Sequence, residues 1–194
     1  MSTAEYQSPE FSKRRIAVVS SGLSQPSSTR LLADRLADAT LRRVKGEGFE
    51  AEAEVEVIEL RDVAQDVTNN LLTGFPSPRL AKVIESVTEA DGLIAVTPIF
   101  TTSYSGLFKS FIDVLDPQSI TELPVLIGAT GGTERHSLAL DYAVRPLFSY
   151  LHAVVVPTAV YAASADWGSA ENGSSSTLPD RIDLAMHDLG LPML

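Results

Sequence analysis

The chain has 194 residues, 44% hydrophobic and 21% charged, with a formal net charge of -10 and no cysteine. That length suits one domain with a sizeable core, and the acidic balance argues against a general nucleic-acid binder, which needs Lys and Arg to displace counterions from phosphates. The lack of cysteine excludes disulfides, thiolate metal sites, iron–sulfur clusters and cysteine nucleophiles together, and fits a reducing compartment.

Residues 1–13 hold no apolar stretch of the kind a secretory signal carries, and we read them as a flexible lead-in. No apolar run approaches the roughly 20 residues that span a bilayer, so a cytoplasmic protein without a membrane partner is expected. "IAVVS" (16–20) reads as a first strand, too short for a helix and bounded by polar or turn residues. "STRLLADRLADATLRRV" follows, with Leu31, Leu32, Leu36 and Val44 at helical spacing and Asp and Arg residues able to share a solvent face. In "VEVIEL" (55–60) Glu alternates with apolar residues, which marks a strand at an edge or half covered. "SPRLAKVIESVTEA" opens with Ser77 as helix N-cap and Pro78 at the first helical position, where a missing N–H costs nothing.

"GLIAVT" (92–97) and "PVLIGAT" (124–130) are apolar on both faces and belong in the middle of a sheet. "SGLFKSFIDVL" between them is a helix. "RHSLALDYAVRPLFSYL" supplies another, which Pro146 should kink or interrupt. "AVVVPTAVY" (153–161) is the fifth strand. Residues 163–180 form an excursion rich in Ser, Ala and Gly, with a short helix from about Leu178 to Leu189. A flexible tail is one reading of it; Trp167 suggests instead docking on the same domain or on a neighbouring subunit, because a lone Trp is seldom left in water. We therefore expect a lead-in (1–13), a domain (14–162) and a C-terminal excursion with a short helix (163–194).

Strands alternating with helices predict an α/β three-layer sandwich around a parallel sheet. Five strands with the second at an edge favour the flavodoxin-like order 2-1-3-4-5 over a six-stranded Rossmann sheet. Ligands in such sheets sit beyond the carboxyl ends of the strands, which directs attention to the loops after strands one, three and four.

In "SSGLSQPSSTRLL" (20–32), Gly22 permits a tight turn and Ser27, Ser28 and Thr29 stand where a helix begins. Backbone N–H groups, hydroxyls and the helix dipole could hold a phosphate there; ordinary N-capping explains the same residues. The loop matches neither G-x-x-x-x-G-K-[ST] nor G-x-G-x-x-G. In "TPIFTTSYSGLFKSFID" (97–113), Pro98 stiffens the chain past the strand, Phe100 offers a planar apolar contact, and Ile99 to Thr102 can present backbone groups to a flat heterocycle. A plain helix entry capped by Ser103 or Ser105 is the alternative. In "GATGGTERHS" (128–137), Gly131 and Gly132 allow close approach of backbone to a ligand, and Thr130 and Thr133 add hydroxyls; a flexible turn is the alternative.

Together "SSGLSQPSSTRLL", "TPIFTTSYSGLFKSFID" and "ATGGTERHSLALDYAVRPLFSYLHA" resemble the NAD(P)H-dependent FMN reductases, in particular the branch that supplies reduced flavin to two-component, luciferase-like and alkanesulfonate monooxygenases. The resemblance covers about residues 14 to 162. It implies FMN and NADPH or NADH as cofactors, an FMN phosphate on Ser21, Gly22, Ser27, Ser28 and Thr29, and a flavin ring against Pro98, Ile99, Phe100 and Thr101. It places Thr130, Gly131, Gly132 and Thr133 at the other edge of the ring. It further implies a flavin-dependent monooxygenase as partner and a homodimer or homotetramer, with Tyr142 at an interface. Two departures stand out: Ser21-Gly22 followed by Ser24 replaces a Gly-Ser and Arg pattern, and Phe100 stands where members commonly have Tyr.

Hydride transfer between a nicotinamide and a flavin is carried by the cofactors, so neutral loops suffice and no catalytic side chain is expected. His136, His152 and His187 lack metal-ligand spacing, and no metal is expected. No G-x-S-x-G elbow supports a serine hydrolase. Arg135 is either a contact for a nucleotide phosphate or a solvated surface residue. The competing readings are a flavodoxin-type electron carrier and an FMN-dependent quinone or azo reductase.

Overall fold

A computed structural model describes residues 13–46, 53–168 and 177–188. Nearly all of the expected lead-in, residues 169–176 of the 163–180 excursion, and the residues from 189 onward lie outside these. In chain order the elements are β1 (Arg14–Ser20), α1 (Ser28–Gly46), β2 (Ala53–Glu59), α2 (Ala64–Thr73), α3 (Pro78–Thr88), β3 (Gly92–Phe100), β4 (Ser103–Tyr104), α4 (Gly106–Asp113), β5 (Pro124–Gly131), α5 (Arg145–Tyr150), β6 (Val154–Val155), β7 (Val160–Ala163) and α6 (Leu178–Asp188).

Five strands pair in parallel in the order β2-β1-β3-β5-β6, the flavodoxin-like path with the Glu-alternating strand at the edge. The sheet has seven strands, however, not five. Pro157 cannot donate to a ladder, and it divides "AVVVPTAVY" into β6, beside Pro124 and Val125, and β7, beside Gly128 to Gly131. Arg145 takes up carbonyls at this break, donating from Nη1 to Val156 at 2.9 Å and from Nη2 to Pro157 at 2.8 Å. The other addition is β4, which folds back antiparallel onto the end of β3 through Thr101 and Thr102.

Residue alternation sends successive strand side chains to opposite faces. Ile16, Val18, Ile94, Val96, Leu126, Val160 and Ala162 pack against α1 and α6. Ala17, Val19, Leu93, Ala95, Val125, Ile127 and Ala129 pack with α2 to α5 on the other side, where Phe108 meets Phe148 edge-on at 6.2 Å. Each fully buried side chain of this size contributes about 1.5–3 kcal/mol of transfer free energy, so both layers are held independently of any ligand.

Ser77 caps α3 as expected, accepting from the Leu80 amide at 3.1 Å, with Pro78 at its start. The helix anticipated around Pro146 is broken: residues 134–136 make a 3₁₀ turn, Leu140–Val144 a π turn, and α5 begins at Arg145, leaving Pro146 in a first turn that needs no N–H. Helix α2 was not foreseen. No described helix is long and apolar enough to cross a membrane.

Candidate active site

Beneath the carboxyl ends of β1 and β3, hydroxyl groups bind one another. The Ser21 amide donates to the Val96 carbonyl at 3.0 Å and its hydroxyl to the same oxygen at 3.3 Å. Ser105 Oγ donates to Ser21 Oγ at 3.3 Å and accepts from the Phe108 amide at 3.2 Å, capping α4. Thr97 Oγ1 accepts from the Ser105 amide at 3.1 Å. All three side chains are buried. Pro98 lies within β3, in register with Thr130, rather than past its end; an extended strand terminus tolerates its fixed φ.

At the head of α1, Ser27 is the N-cap: its Oγ accepts from the Arg30 amide at 3.2 Å and its carbonyl from the Leu31 amide at 3.0 Å. A Cβ at Gly22 would overlap that same Oγ, so the loop closes tightly only with glycine there. Thr29 and Thr130, both buried, share a 2.8 Å hydrogen bond that ties this helix start to the end of β5. The amides of the first turn, Ser28 and Thr29 among them, are those a helix cannot satisfy internally, and they carry its positive dipole end.

The arginines around this loop are turned to other partners. Arg30 binds Asp34 at 2.8 Å and Glu59 at 2.6 Å, and the hydrogen bond it donates to Asp34 is the largest influence raising its pKa above the ordinary guanidinium value. Arg61 Nη1 donates to the Ser24 carbonyl at 3.2 Å and, more weakly, to that of Leu23 at 3.4 Å, bracing the loop from below β2. An anion at the start of α1 would therefore meet amides and hydroxyls first.

A groove of about 460 Å³ opens above these loops, lined by Ser28, Pro98, Ile99, Phe100, Thr130, Gly131 and Gly132, with Ser164 and Trp167. Seven of the anticipated residues thus share one wall. Ser21, Gly22, Ser27 and Thr29 stand behind it as scaffold, Thr101 forms the exposed hairpin tip, and Thr133 caps the 3₁₀ turn at 134–136. Ser164 and Trp167 were not anticipated at the site; the lone indole was the available signal. A larger cavity, about 550 Å³, lies at the amino end of β1 and β2 among Arg15, Glu54, Glu56, Lys82, Glu85 and Glu89. Its carboxylates would repel a phosphate, and it sits at the wrong end of a parallel sheet for a ligand site.

Residues 14–168 match the family described as NADPH-dependent FMN reductase. The chain belongs to that family. Over 171 residues it is 36% identical to an FMN reductase (NADPH) of Pseudomonas aeruginosa, covering 88% of each chain. It is 35% identical to the NADH-dependent FMN reductase SfnF of Pseudomonas fluorescens, covering 88% of this chain and 87% of that one. The crystal structure of an oxidoreductase from Corynebacterium diphtheriae superposes with a TM-score of 0.84 at 42% identity, covering 91% of this chain and 94% of the other.

As an FMN reductase the chain is an oxidoreductase using FMN and a reduced nicotinamide nucleotide. Its groove suits a flavin mononucleotide. The helix start offers anion donors, a Cβ at Gly132 would point into open space, and Phe100, 49% exposed, presents an apolar ring at the rim.

Proposed function

We propose that this groove is the flavin site of the reductase, with the FMN phosphate over Ser28 and Thr29 and the ring along Pro98, Ile99 and Phe100, edged by Gly131 and Gly132. What carries the reading is the convergence of Ser28, at the start of α1, with Phe100 and Gly131, at the ends of β3 and β5, on one groove. Bound there, the flavin supplies the atom that accepts hydride. The chain's own part is to hold and orient: the buried hydroxyl network fixes the loops, the helix start holds negative charge, and Phe100 shields one side of the ring from water. No acid or base is required of a side chain.

We further propose that reduced flavin passes to a partner monooxygenase, as the resemblance of the three loop motifs implies. Assembly into dimers or tetramers is supported by Leu138, Tyr142 and Tyr150, exposed by 61%, 80% and 75% on the stretch that includes the π turn. A cytoplasmic location accords with the absence of cysteine.

The deciding experiment mixes purified protein with FMN and either NADPH or NADH and follows nucleotide absorbance. Oxidation dependent on added FMN is expected, and none with either nucleotide would refute the reading. Slow turnover with free FMN but rapid reduction of a quinone would favour the quinone reductase alternative.

A further inference from the structure

The strand β7 ends in a 3₁₀ turn, Ser164–Trp167, whose first and last residues both line the groove. The turn is anchored from two directions. The Asp166 carboxylate accepts from the Ala163 amide at 2.7 Å and from Arg181 Nη2, on α6, at 2.6 Å. Helix α6 is itself seated on α1 through Leu178, Ile182, Ala185 and Met186, and Thr158 bonds Asp188 at its far end. The Trp167 indole packs against this layer, with the Arg35 guanidinium 4.9 Å from its ring centroid. Arg35 lies about two turns along α1 from Ser28, on the same side of that helix. The indole lines the same groove as Ser28, Pro98, Phe100 and Gly131.

We propose that Trp167 is a flavin-contacting residue, a further wall of the groove in contact with the flavin ring, and that Arg35, Asp166 and Arg181 are positioning residues that hold its indole in place. This rests on the groove being the flavin site. An aromatic wall fixed before binding loses little conformational freedom when the ligand arrives, which is where its contribution to affinity originates. The C-terminal helix then acts on flavin binding through Asp166 without touching the ligand.

The test titrates FMN into the full chain and its W167F and W167A variants, measuring affinity by ultrafiltration and the emission of bound flavin. An indole in contact range quenches excited flavin by electron donation, which a phenyl ring does not. We expect bound-flavin emission to rise several-fold in W167F with affinity within about twofold of the parent, and W167A to bind FMN at least about fivefold more weakly. Unchanged emission in W167F overturns the proposal whatever happens to affinity, because a purely structural Trp would give that result. Failure of the unaltered chain to bind FMN overturns the groove reading and this proposal with it, whereas binding with unchanged W167F emission overturns this one alone. Should W167A not fold, the W167F emission still decides.

Discussion

Tyr161 fills the space beneath Gly131. Its hydroxyl donates to the Thr133 carbonyl at 2.8 Å, and a Cβ on residue 131 would fall within that hydroxyl's van der Waals envelope. One side chain from β7 thus dictates both the residue type at 131 and the course of the loop that follows.

Gly131→Ala should destabilise the chain by about 1–3 kcal/mol, the usual cost of overpacking, and weaken FMN binding as the loop shifts. Tyr161→Phe in the same background removes the clashing oxygen and should restore part of both losses. Denaturant unfolding and FMN titration of the two single variants and the double variant check this, and strictly additive losses would contradict it.

The same tyrosine gives a pH signature. Burial, and secondarily the charge of Asp166, raise its pKa above 10.0. The folded state keeps the proton longer than the unfolded state, so this contribution is complete below the unfolded pKa and is lost as pH rises through the folded one. The melting temperature should decline more steeply above pH 10 in the parent than in Tyr161→Phe. Parallel curves would show that the phenol is not coupled to stability.

Thr29 and Thr130 join segments 101 residues apart through a buried hydroxyl pair. Replacing either by Val leaves the other hydroxyl without its partner and should cost about 1–3 kcal/mol, while replacing both should be far milder. A double-mutant cycle by chemical denaturation measures the coupling.

Thr101 and Thr102, at the tip of the β3–β4 hairpin, have φ of 48° and 72°. β-branched residues are strained in the left-handed region, whereas Asn tolerates it. Thr102→Asn should raise stability by up to about 1 kcal/mol, visible as a higher melting temperature. A lower one would mean that the threonine side chain compensates for its backbone.

Phe100→Ala should weaken FMN binding by about tenfold, corresponding to the loss of roughly 1–1.5 kcal/mol of aromatic contact. The pH profile of hydride transfer at saturating FMN should be unchanged, since no proton is exchanged with this residue. A shifted profile would point to a titrating group that the loops do not supply.

Much of the fold was legible because its signals are local. Ser77-Pro78 marks a helix start by hydrogen-bonding chemistry alone, and the Glu alternation in β2 marks an edge because only one face of that strand is covered by apolar side chains. Helix α2 was illegible for the same reason: Thr68, Asn69, Asn70 and Thr73 are weak helix formers, and the tertiary contacts of Val67 and its neighbours override that propensity. At the site, hydroxyl residues were recognisable as a group, but their direction was not. Ser21, Thr97 and Ser105 turn inward to one another, and only Ser28 among the serines of the first loop reaches the groove.

By itself, then, the amino-acid order determined an α/β sheet with loops of neutral hydrogen-bonding residues at the carboxyl ends of its central strands, because strand period, helix caps and glycine placement are properties of neighbouring residues. Tertiary structure decided which hydroxyls serve as scaffold and which face the groove, and it brought Tyr161 under Gly131 and Trp167 onto the groove wall. Those relationships join residues from separate strands, and parallel pairing sets them through registers that no local spacing encodes.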